Sequence, residues 1–342
     1  MAQESQPSVE RTLWQFLALP DEDLEKADLV ELNLAVAREI PAFHDIDVSR
    51  YWQIVTQWSQ QFAQRLPELE RMFKKTPWKW KSDMRFFRVG MLRGFLGHTI
   101  GLRYIEEQKD ATQVQYTDPG HLFLNGLIDK KQGTCGNMPT LHVAICRRLG
   151  WPVSLACAKS HLVSRFDDGQ VIYNIEATST HAGSFCAEED SFYVKKYHLP
   201  KRAIDCGSDL RKLTAREMIG VFLGLRARHY GDVDNPLDAD TSFALSRVLF
   251  PNHRRSYIGA MVPMLRRGTI LFDPDELGHP NSLFQELAPK FAPAVCSSFN
   301  GGPSPMMQYV TTAPVHRPTC VAIPPVGVPP EIQSNLGKGA SS

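Results

Sequence analysis

The chain of 342 residues carries 38 Lys and Arg against 37 Asp and Glu, a formal net charge of +1. This balance argues against binding nucleic acid or an anionic membrane through overall electrostatic attraction. Hydrophobic residues make up 43% of the chain, which excludes a wholly disordered protein. No run approaches the ~18 consecutive apolar residues of a membrane span, and polar residues 1–11 predict no secretory signal.

Seven cysteines are spread along the chain, and no two of them form a Cys-x-x-Cys pair. They are Cys135, Cys146, Cys157, Cys186, Cys206, Cys296 and Cys320. This spacing disfavours a structural zinc site and a dense disulfide framework, so we expect no metal and no cofactor. Reduced thiols are typical of a cytoplasmic protein, which is the predicted location.

Residues 1–110 predict an N-terminal helical region. Residues 21–40 carry acidic side chains at their start, as a helix of favourable polarity does. Apolar residues at helical spacing between 51 and 62 predict a second helix, which Pro67 would kink or end. Residues 82–107 are apolar over much of their circumference and predict a third, central helix.

Residues 74–81, between the second and third helices, interleave lysines with two tryptophans. Such a segment can stack on single-stranded nucleic acid and neutralise it. We favour a surface loop in which tryptophan anchors the chain and the lysines reach solvent, because the patch is short. The sequence therefore predicts no nucleic-acid partner and no membrane partner.

Residues 111–212 predict an α+β domain, with a helix packed on a small antiparallel sheet. The helix is expected from Thr134 to Leu149. Asp167-Asp168-Gly169-Gln170 is typical of a hairpin turn between two strands. The expected strands are 153–158, 161–166 and 171–177.

The remaining chain predicts helices followed by a tail. Residues 213–290 contain a helix–turn–helix unit similar to a degenerate tetratricopeptide pair. A true array would need a period of ~34 residues and about three copies, so we interpret this segment as a helical cap. Residues 291–342 are rich in proline and predict a disordered or extended tail.

Cys135 is the cysteine in the most informative position. It lies at the predicted start of a helix, where unpaired backbone N–H groups and the helix dipole favour a thiolate. Gly133 and Gly136 keep the flanking backbone bare, which would leave room for a substrate carbonyl. The Cys135 backbone N–H would then be an oxyanion donor.

A nucleophilic thiolate usually needs a base, and the base needs an orienting partner. His161 begins the first hairpin strand, and Asn174 and Glu176 lie on one face of the return strand. Counting outward from the turn places Glu176 across from His161 within one residue of register. A carboxylate on one imidazole nitrogen leaves the other free for the thiol. Cys135, His161 and Glu176 are therefore the predicted catalytic residues, with Asn174 as a further orienting candidate.

These segments resemble the transglutaminase-like core, and most closely the bacterial transglutaminase-like family with an N-terminal helical region and trailing tetratricopeptide-like helices. Four motifs carry the resemblance: Gly133-Thr134-Cys135, Arg148 to Val153, His161 to Phe166 and Asn174 to Thr178. The resemblance covers residues 119–197. It implies a papain-like cysteine-enzyme core flanked by helices, with Cys135 as nucleophile, His161 as base and Glu176 as orienting carboxylate.

The chain departs from the family pattern at some positions. Many members carry Asp where this chain has Glu176, and larger residues are common at the position of Gly136. Papain-type enzymes have an oxyanion glutamine several residues before the cysteine. Gln132 is too close to Cys135 for that role, and Asn125 is the better-placed oxyanion candidate.

Other histidines and cysteines have plainer interpretations. His142, on the helix after Cys135, and His98 are predicted to be packed side chains rather than ligands. His181 and Cys186 follow Glu176 in a loop that could line the cleft, but they lack further metal ligands at useful spacing. His229 is interpreted as part of a solvated helix face.

Three functions remain open at this point. The first is a thiol enzyme that hydrolyses or transamidates amide or peptide bonds through an acyl-thioester on Cys135, with a protein or peptide as substrate. The second is a catalytically inactive binding or scaffold module with the same fold. The third is nucleic-acid binding through residues 74–81. The sequence leaves the substrate and the oligomeric state undetermined.

Overall fold

The computed structural model describes residues 11–105, 115–159, 161–178, 184–185, 187–253 and 321–322. In this part of the chain, helices surround a four-stranded antiparallel sheet, so the predicted mixture of helix and sheet is present. The predicted tail, 291–342, lies outside the described residues except for Val321 and Ala322.

Helices precede, flank and follow the main sheet along the chain. The helices are α1 (Leu13–Leu17), α2 (Asp21–Leu24), α3 (Leu29–Ala37), α4 (Val48–Lys75), α5 (Met84–Gly94), α6 (Leu124–Lys130), α7 (Met138–Arg148), α8 (Asp190–Tyr197), α9 (Lys201–Asp205), α10 (Ala215–Asp232) and α11 (Pro236–Leu249). The strands are β1 (Arg103–Tyr104), β2 (Gln132–Gly133), β3 (Val153–Ala158), β4 (His161–Asp167), β5 (Ile172–Ile175), β6 (Ser184–Phe185), β7 (Ala187–Glu188) and β8 (Val321–Ala322). Among the described helices, none combines the length and apolarity needed to cross a bilayer.

The predicted helix over residues 21–40 is two helices, α2 and α3. Asp28 separates them, because its carboxylate accepts a hydrogen bond from the backbone N–H of Val30 at 2.8 Å and caps α3. In contrast, Pro67 lies inside α4, so the expectation that it ends this helix was wrong. Pro67 and Ala63 are both exposed, so water can solvate the Ala63 carbonyl that loses its helical partner.

The third predicted helix, 82–107, is also too long. Its α-helical part, α5, ends at Gly94, and one π-helical turn follows over Phe95–Thr99. Gly101 then adopts a φ of +82°, a left-handed conformation that suits glycine. The chain continues as β1, which pairs in parallel with β2, just before Cys135.

The lysine- and tryptophan-rich segment, 74–81, comprises the last two residues of α4 and a 3-10 turn over Pro77–Trp80, and tryptophan anchors it as we favoured. Trp80 is buried, and its ring meets that of Phe87 edge-on with centroids 5.0 Å apart. Trp78 is 69% exposed. Only one of the two tryptophans therefore presents an open face for stacking.

The main sheet has the strand order β3–β4–β5–β7, with all neighbours antiparallel. The predicted hairpin between β4 and β5 is confirmed. Its turn is stabilised by the Asp168 carboxylate, which accepts hydrogen bonds from the backbone N–H groups of Gln170 and Val171, both at 2.9 Å. Ser164 of β4 donates to the Pro139 carbonyl at 3.2 Å, which seats the first turn of α7 against the sheet.

One hydrophobic core joins the segments that the sequence divided into regions. It contains residues from Leu13 to Phe250, including the buried side of α3, α7 and α10. Arg148, at the end of α7, also lies 2.7 Å from the Asp28 carboxylate and ties α7 to the start of α3. Within the described residues, the helices before and after the sheet therefore pack with it around a shared core.

Candidate active site

Cys135 lies in a turn that precedes α7 and not in its first residues. The sequence predicted a helix from Thr134, whereas α7 begins at Met138 with Asn137 as its N-cap residue. The turn is held by a hydrogen bond from the Met138 N–H to the Thr134 carbonyl at 3.1 Å. Cys135 is not part of a disulfide and is of intermediate exposure, so a reagent can reach its thiol.

Asn137 fixes this turn through buried hydrogen bonds. Its Oδ1 accepts from the Thr134 N–H at 2.9 Å, and its Nδ2 donates to the carbonyls of Gly120 at 3.2 Å and Phe123 at 3.1 Å. The side chain is fully buried. Asn137 therefore clamps the loop that carries Cys135 onto the chain segment before α6.

Packing leaves no room for a side chain at Gly133 and little room at Gly136. A Cβ at Gly133 would lie 2.5 Å from Asn137 Oδ1 and 2.6 Å from a Leu127 methyl. A Cβ at Gly136 would lie 3.1 Å from a Leu122 methyl. Because both positions face neighbouring protein atoms, they do not provide the open space for a substrate carbonyl that the sequence suggested.

His161 and Glu176 are in direct contact. The His161 Nε2–H donates to Glu176 Oε2 at 2.8 Å, and the two side chains are 15% and 7% exposed. Glu176 Oε1 accepts from the backbone N–H of Thr178 at 3.0 Å and from its hydroxyl. The carboxylate is thus held on its far side by Thr178, a role the sequence did not suggest.

Glu176 and His161 are offset by two residues along the β4–β5 ladder, whereas counting from the turn predicted an offset of at most one residue. Ser164 pairs with Ile175, so continuation of the ladder would place Glu176 opposite Val163. His161 lies two residues further along β4, on the same face of the strand. The two side chains therefore meet diagonally and not directly across the ladder.

This contact changes the protonation of both groups. Burial disfavours a charged His161 ring, but the Glu176 carboxylate and the Cys135 thiol outweigh it and raise the pKa of His161 to about 10. Burial would likewise raise the pKa of Glu176, but the His161 charge and hydrogen bond prevail, helped by Lys196 and Thr178, and lower it to about 2. At neutral pH the pair is therefore an imidazolium and a carboxylate.

The Cys135 thiol is the second side-chain hydrogen-bond partner of the His161 ring. Glu176 occupies Nε2, so Nδ1 is the nitrogen that remains for the sulfur. An imidazolium beside a thiol favours the thiolate. The structure thus brings the three predicted catalytic residues together in the order thiol, imidazole, carboxylate.

A small cleft opens at this site. Its lining residues are Cys135, Cys157, Lys159, His161, Leu162, Val221, Gly224, Leu225 and His253. Residues of α10 form one wall, and the end of β3 and the start of β4 form the other. The α10 wall was missed by sequence reasoning, although α10 is apolar around most of its circumference and such helices are usually buried.

Three tyrosines near the site were also missed. The Tyr116 hydroxyl lies 4.0 Å from Cys135 Sγ. Burial, together with the charges of Cys135 and Glu176, raises the pKa of Tyr104, which places that phenol near both groups. The Tyr197 ring lies 5.7 Å from the His161 ring, centroid to centroid. No local motif marks these residues, because each reaches the site from a separate segment.

Asn174 and Asn125, the two further candidates for the site, are both buried. Asn174 is fully buried, but its amide accepts from Arg165 at 2.8 Å and donates to Asp190 at 2.6 Å. The expectation that Asn174 orients the base is therefore wrong, because this network, two residues along β5, occupies its amide. Asn125 is buried in α6, and within the described part of the chain its Oδ1 has no hydrogen-bond partner.

The burial of two other histidines differs from expectation. His142 is fully buried, as predicted, whereas His98 is exposed. His229 is buried and its Nδ1–H donates to the Tyr116 carbonyl at 2.8 Å, so its assignment to a solvated face was wrong. His181 and Cys186 lie outside the described residues.

Comparison with known proteins adds no relative. No match to this chain was found among protein-family models, curated proteins or solved structures.

Proposed function

We propose that this chain is a transglutaminase-like thiol enzyme that acts on amide or peptide bonds through an acyl-thioester on Cys135. The observation that carries the proposal is the His161 ring, hydrogen-bonded to Glu176 on one side and to the Cys135 thiol on the other. The packing of α7 on an antiparallel sheet, with the base and the carboxylate on that sheet, supports a transglutaminase-like core.

In the proposed reaction each of the three residues has one role. The Cys135 thiolate attacks the substrate carbonyl carbon, a C–S bond forms, and the carbonyl electron pair moves to oxygen. As the tetrahedral intermediate collapses, the C–N bond breaks and the His161 imidazolium gives its proton to the leaving amine. His161, now neutral, accepts a proton from water or an incoming amine, which attacks the thioester and releases Cys135. Glu176 stays ionised and holds the ring in position.

The cleft supports an acyl substrate that lies between a sheet edge and a helix. Leu162, Val221 and Leu225 give the cleft an apolar lining, and Cys135 and His161 line it as well. Gly224 adds no side chain to the α10 wall. These features suit a peptide or protein side chain entering as an extended segment.

Selective alkylation tests the reactive thiol. We expect iodoacetamide to modify Cys135 before the other six cysteines, because an imidazolium lies beside its sulfur and favours the thiolate. In His161→Ala the rate at Cys135 should fall about 10²-fold, the scale of an acid–base partner, while His98→Ala, an exposed control, should match the wild type. Peptide mapping by mass spectrometry gives the rate at each cysteine. Equal labelling of Cys135 and half-exposed Cys206 would contradict the proposal.

Acyl transfer is tested separately by intact mass measurement after exposure to a panel of activated esters and peptide amides. An acyl adduct is expected on the wild type and not on Cys135→Ala. If Cys135 is alkylated selectively but no ester or amide of the panel acylates it, the enzyme proposal is abandoned. The alternative, a catalytically inactive binding module, then takes its place.

A further inference from the structure

Tyr116 lies near the Cys135 sulfur and comes from a chain segment that contains none of the three predicted catalytic residues. Its side chain is buried, and its hydroxyl oxygen lies 4.0 Å from Cys135 Sγ. It approaches from the chain segment before α6, whereas His161 approaches from β4. The sulfur therefore has both an imidazole and a phenol near it, each from a different segment of the chain.

The last turns of α10 fix the backbone of Tyr116. Its N–H donates to Asp232 Oδ2 at 2.8 Å, and its carbonyl accepts from His229 Nδ1 at 2.8 Å. Arg228 lies over the Tyr116 ring, 6.0 Å from its centroid, and also donates to Asp232 at 2.9 Å. With both backbone groups and the ring face held, the hydroxyl has a fixed direction.

The position of this hydroxyl suits a hydrogen bond to an oxygen that stands two bonds from the sulfur. A separation of 4.0 Å is long for a hydrogen bond to the sulfur itself. An oxyanion of the tetrahedral intermediate stands on the carbon attached to sulfur, and a donor must lie about 2.7–3.1 Å from that oxygen. The Tyr116 hydroxyl is therefore better placed to donate to the oxygen of the intermediate than to the sulfur of the resting thiol.

We propose that Tyr116 is the side-chain oxyanion donor of this site, held in place by α10. This inference rests on the proposed acyl transfer. When the C–S bond forms and the carbonyl electrons move to oxygen, the Tyr116 hydroxyl donates a hydrogen bond to that oxygen and keeps its proton. When the C–N bond breaks, the electrons return to the carbonyl and the hydrogen bond weakens.

Two reactions of the same sulfur separate this role from a structural one. Alkylation by iodoacetamide displaces iodide and forms no oxyanion, whereas acylation by p-nitrophenyl acetate passes through a tetrahedral intermediate. In Tyr116→Phe we expect the acylation rate to fall about 10²-fold, as for loss of one oxyanion donor. The alkylation rate of Cys135 and its pH profile should stay at the wild-type values.

Tyr230→Phe is the matched control, because Tyr230 lies on α10 and its hydroxyl donates to the Glu39 carbonyl at 3.4 Å, away from the sulfur. Both of its rates should equal those of the wild type. Equal loss of acylation and alkylation in Tyr116→Phe would show that the phenol acts on the thiol or the fold, and unchanged acylation would show that it donates nothing. Either result overturns the Tyr116 proposal alone. If wild-type Cys135 is not selectively alkylated, the proposed function itself fails.

Discussion

At the scale of single residues, the ion pair between His161 and Glu176 sets the chemistry of the site. Both side chains are buried, so each charge depends on the other for compensation. Burial by itself would leave His161 neutral, and a neutral imidazole cannot stabilise a neighbouring thiolate. The carboxylate is therefore needed for the thiol to be reactive at neutral pH.

Glu176→Gln tests this dependence. The amide keeps the hydrogen-bonding shape but removes the negative charge, so the pKa of His161, raised to about 10 in the wild type, should fall because burial then dominates. Alkylation of Cys135 at pH 7 should slow by about tenfold or more and recover as the pH rises and the thiol ionises unaided. Rates of iodoacetamide labelling between pH 5 and 10 give the profile.

The control for this variant is Glu189→Gln, an exposed carboxylate just after β7. Its profile should superimpose on that of the wild type. If Glu176→Gln also superimposes on the wild type, the carboxylate has no part in activating Cys135.

At the scale of elements, sequence patterns predicted local structure well and contacts between segments poorly. The hairpin from β4 to β5 follows from Asp168 and Gly169 alone, because that turn is stabilised within itself. The start of α7 could not be predicted from the local sequence. Thr134 and Asn137 form hydrogen bonds with a segment more than ten residues earlier in the chain. The two-residue offset between His161 and Glu176 arises in the same way, since pairing begins at Asp167 and Ile172 and no nearby residue signals it.

Because the hydrogen bonds of Asn137 are buried, we expect Asn137→Ala to lower the free energy of unfolding more than the loss of an ordinary helix cap does. The change would leave the Thr134 N–H and the carbonyls of Gly120 and Phe123 unpaired in the interior, which should cost about 2–4 kcal/mol in the free energy of unfolding. Selective alkylation of Cys135 should be lost as well, because the turn that carries it is released.

Asn235→Ala supplies the comparison. Asn235 caps α11 by accepting from the Asp238 N–H at 3.4 Å near the surface, and its removal should cost only about 1 kcal/mol. Urea denaturation of both variants measures the difference. Similar costs for the two would show that the buried clamp is not important for stability.

At the scale of the whole molecule, the site depends on elements far apart in the chain. The sequence predicts a helical cap over residues 213–290, and in the described residues α10 shares the main core, lines the cleft and positions Tyr116. Its apolar circumference is a signal of burial. What it packs against is a property of the tertiary structure that one sequence does not reveal. The three candidate catalytic residues could be selected from motif spacing, whereas the groups around them could not.

The same shared core holds a histidine that links stability to pH. His142 is fully buried on α7, and within the described residues its Nε2 has no hydrogen-bond partner. Burial, reinforced by nearby Arg93, lowers the pKa of His142 from 6.5 to about 4. The unfolded chain therefore binds a proton in this window that the folded chain does not, so stability is retained above pH 6.5 and falls as the pH drops towards 4.

His142→Leu should flatten this pH dependence, because leucine cannot take up the proton on unfolding. The wild type should lose about 3 kcal/mol more than His142→Leu between pH 6.5 and 4, from the difference of the two pKa values. Urea denaturation at several pH values across this window measures the slope for each protein, and comparing slopes removes any constant cost of the substitution. His98→Leu, at an exposed position, should keep the wild-type slope. An equal slope in His142→Leu and the wild type would mean that the core does not hold His142 neutral.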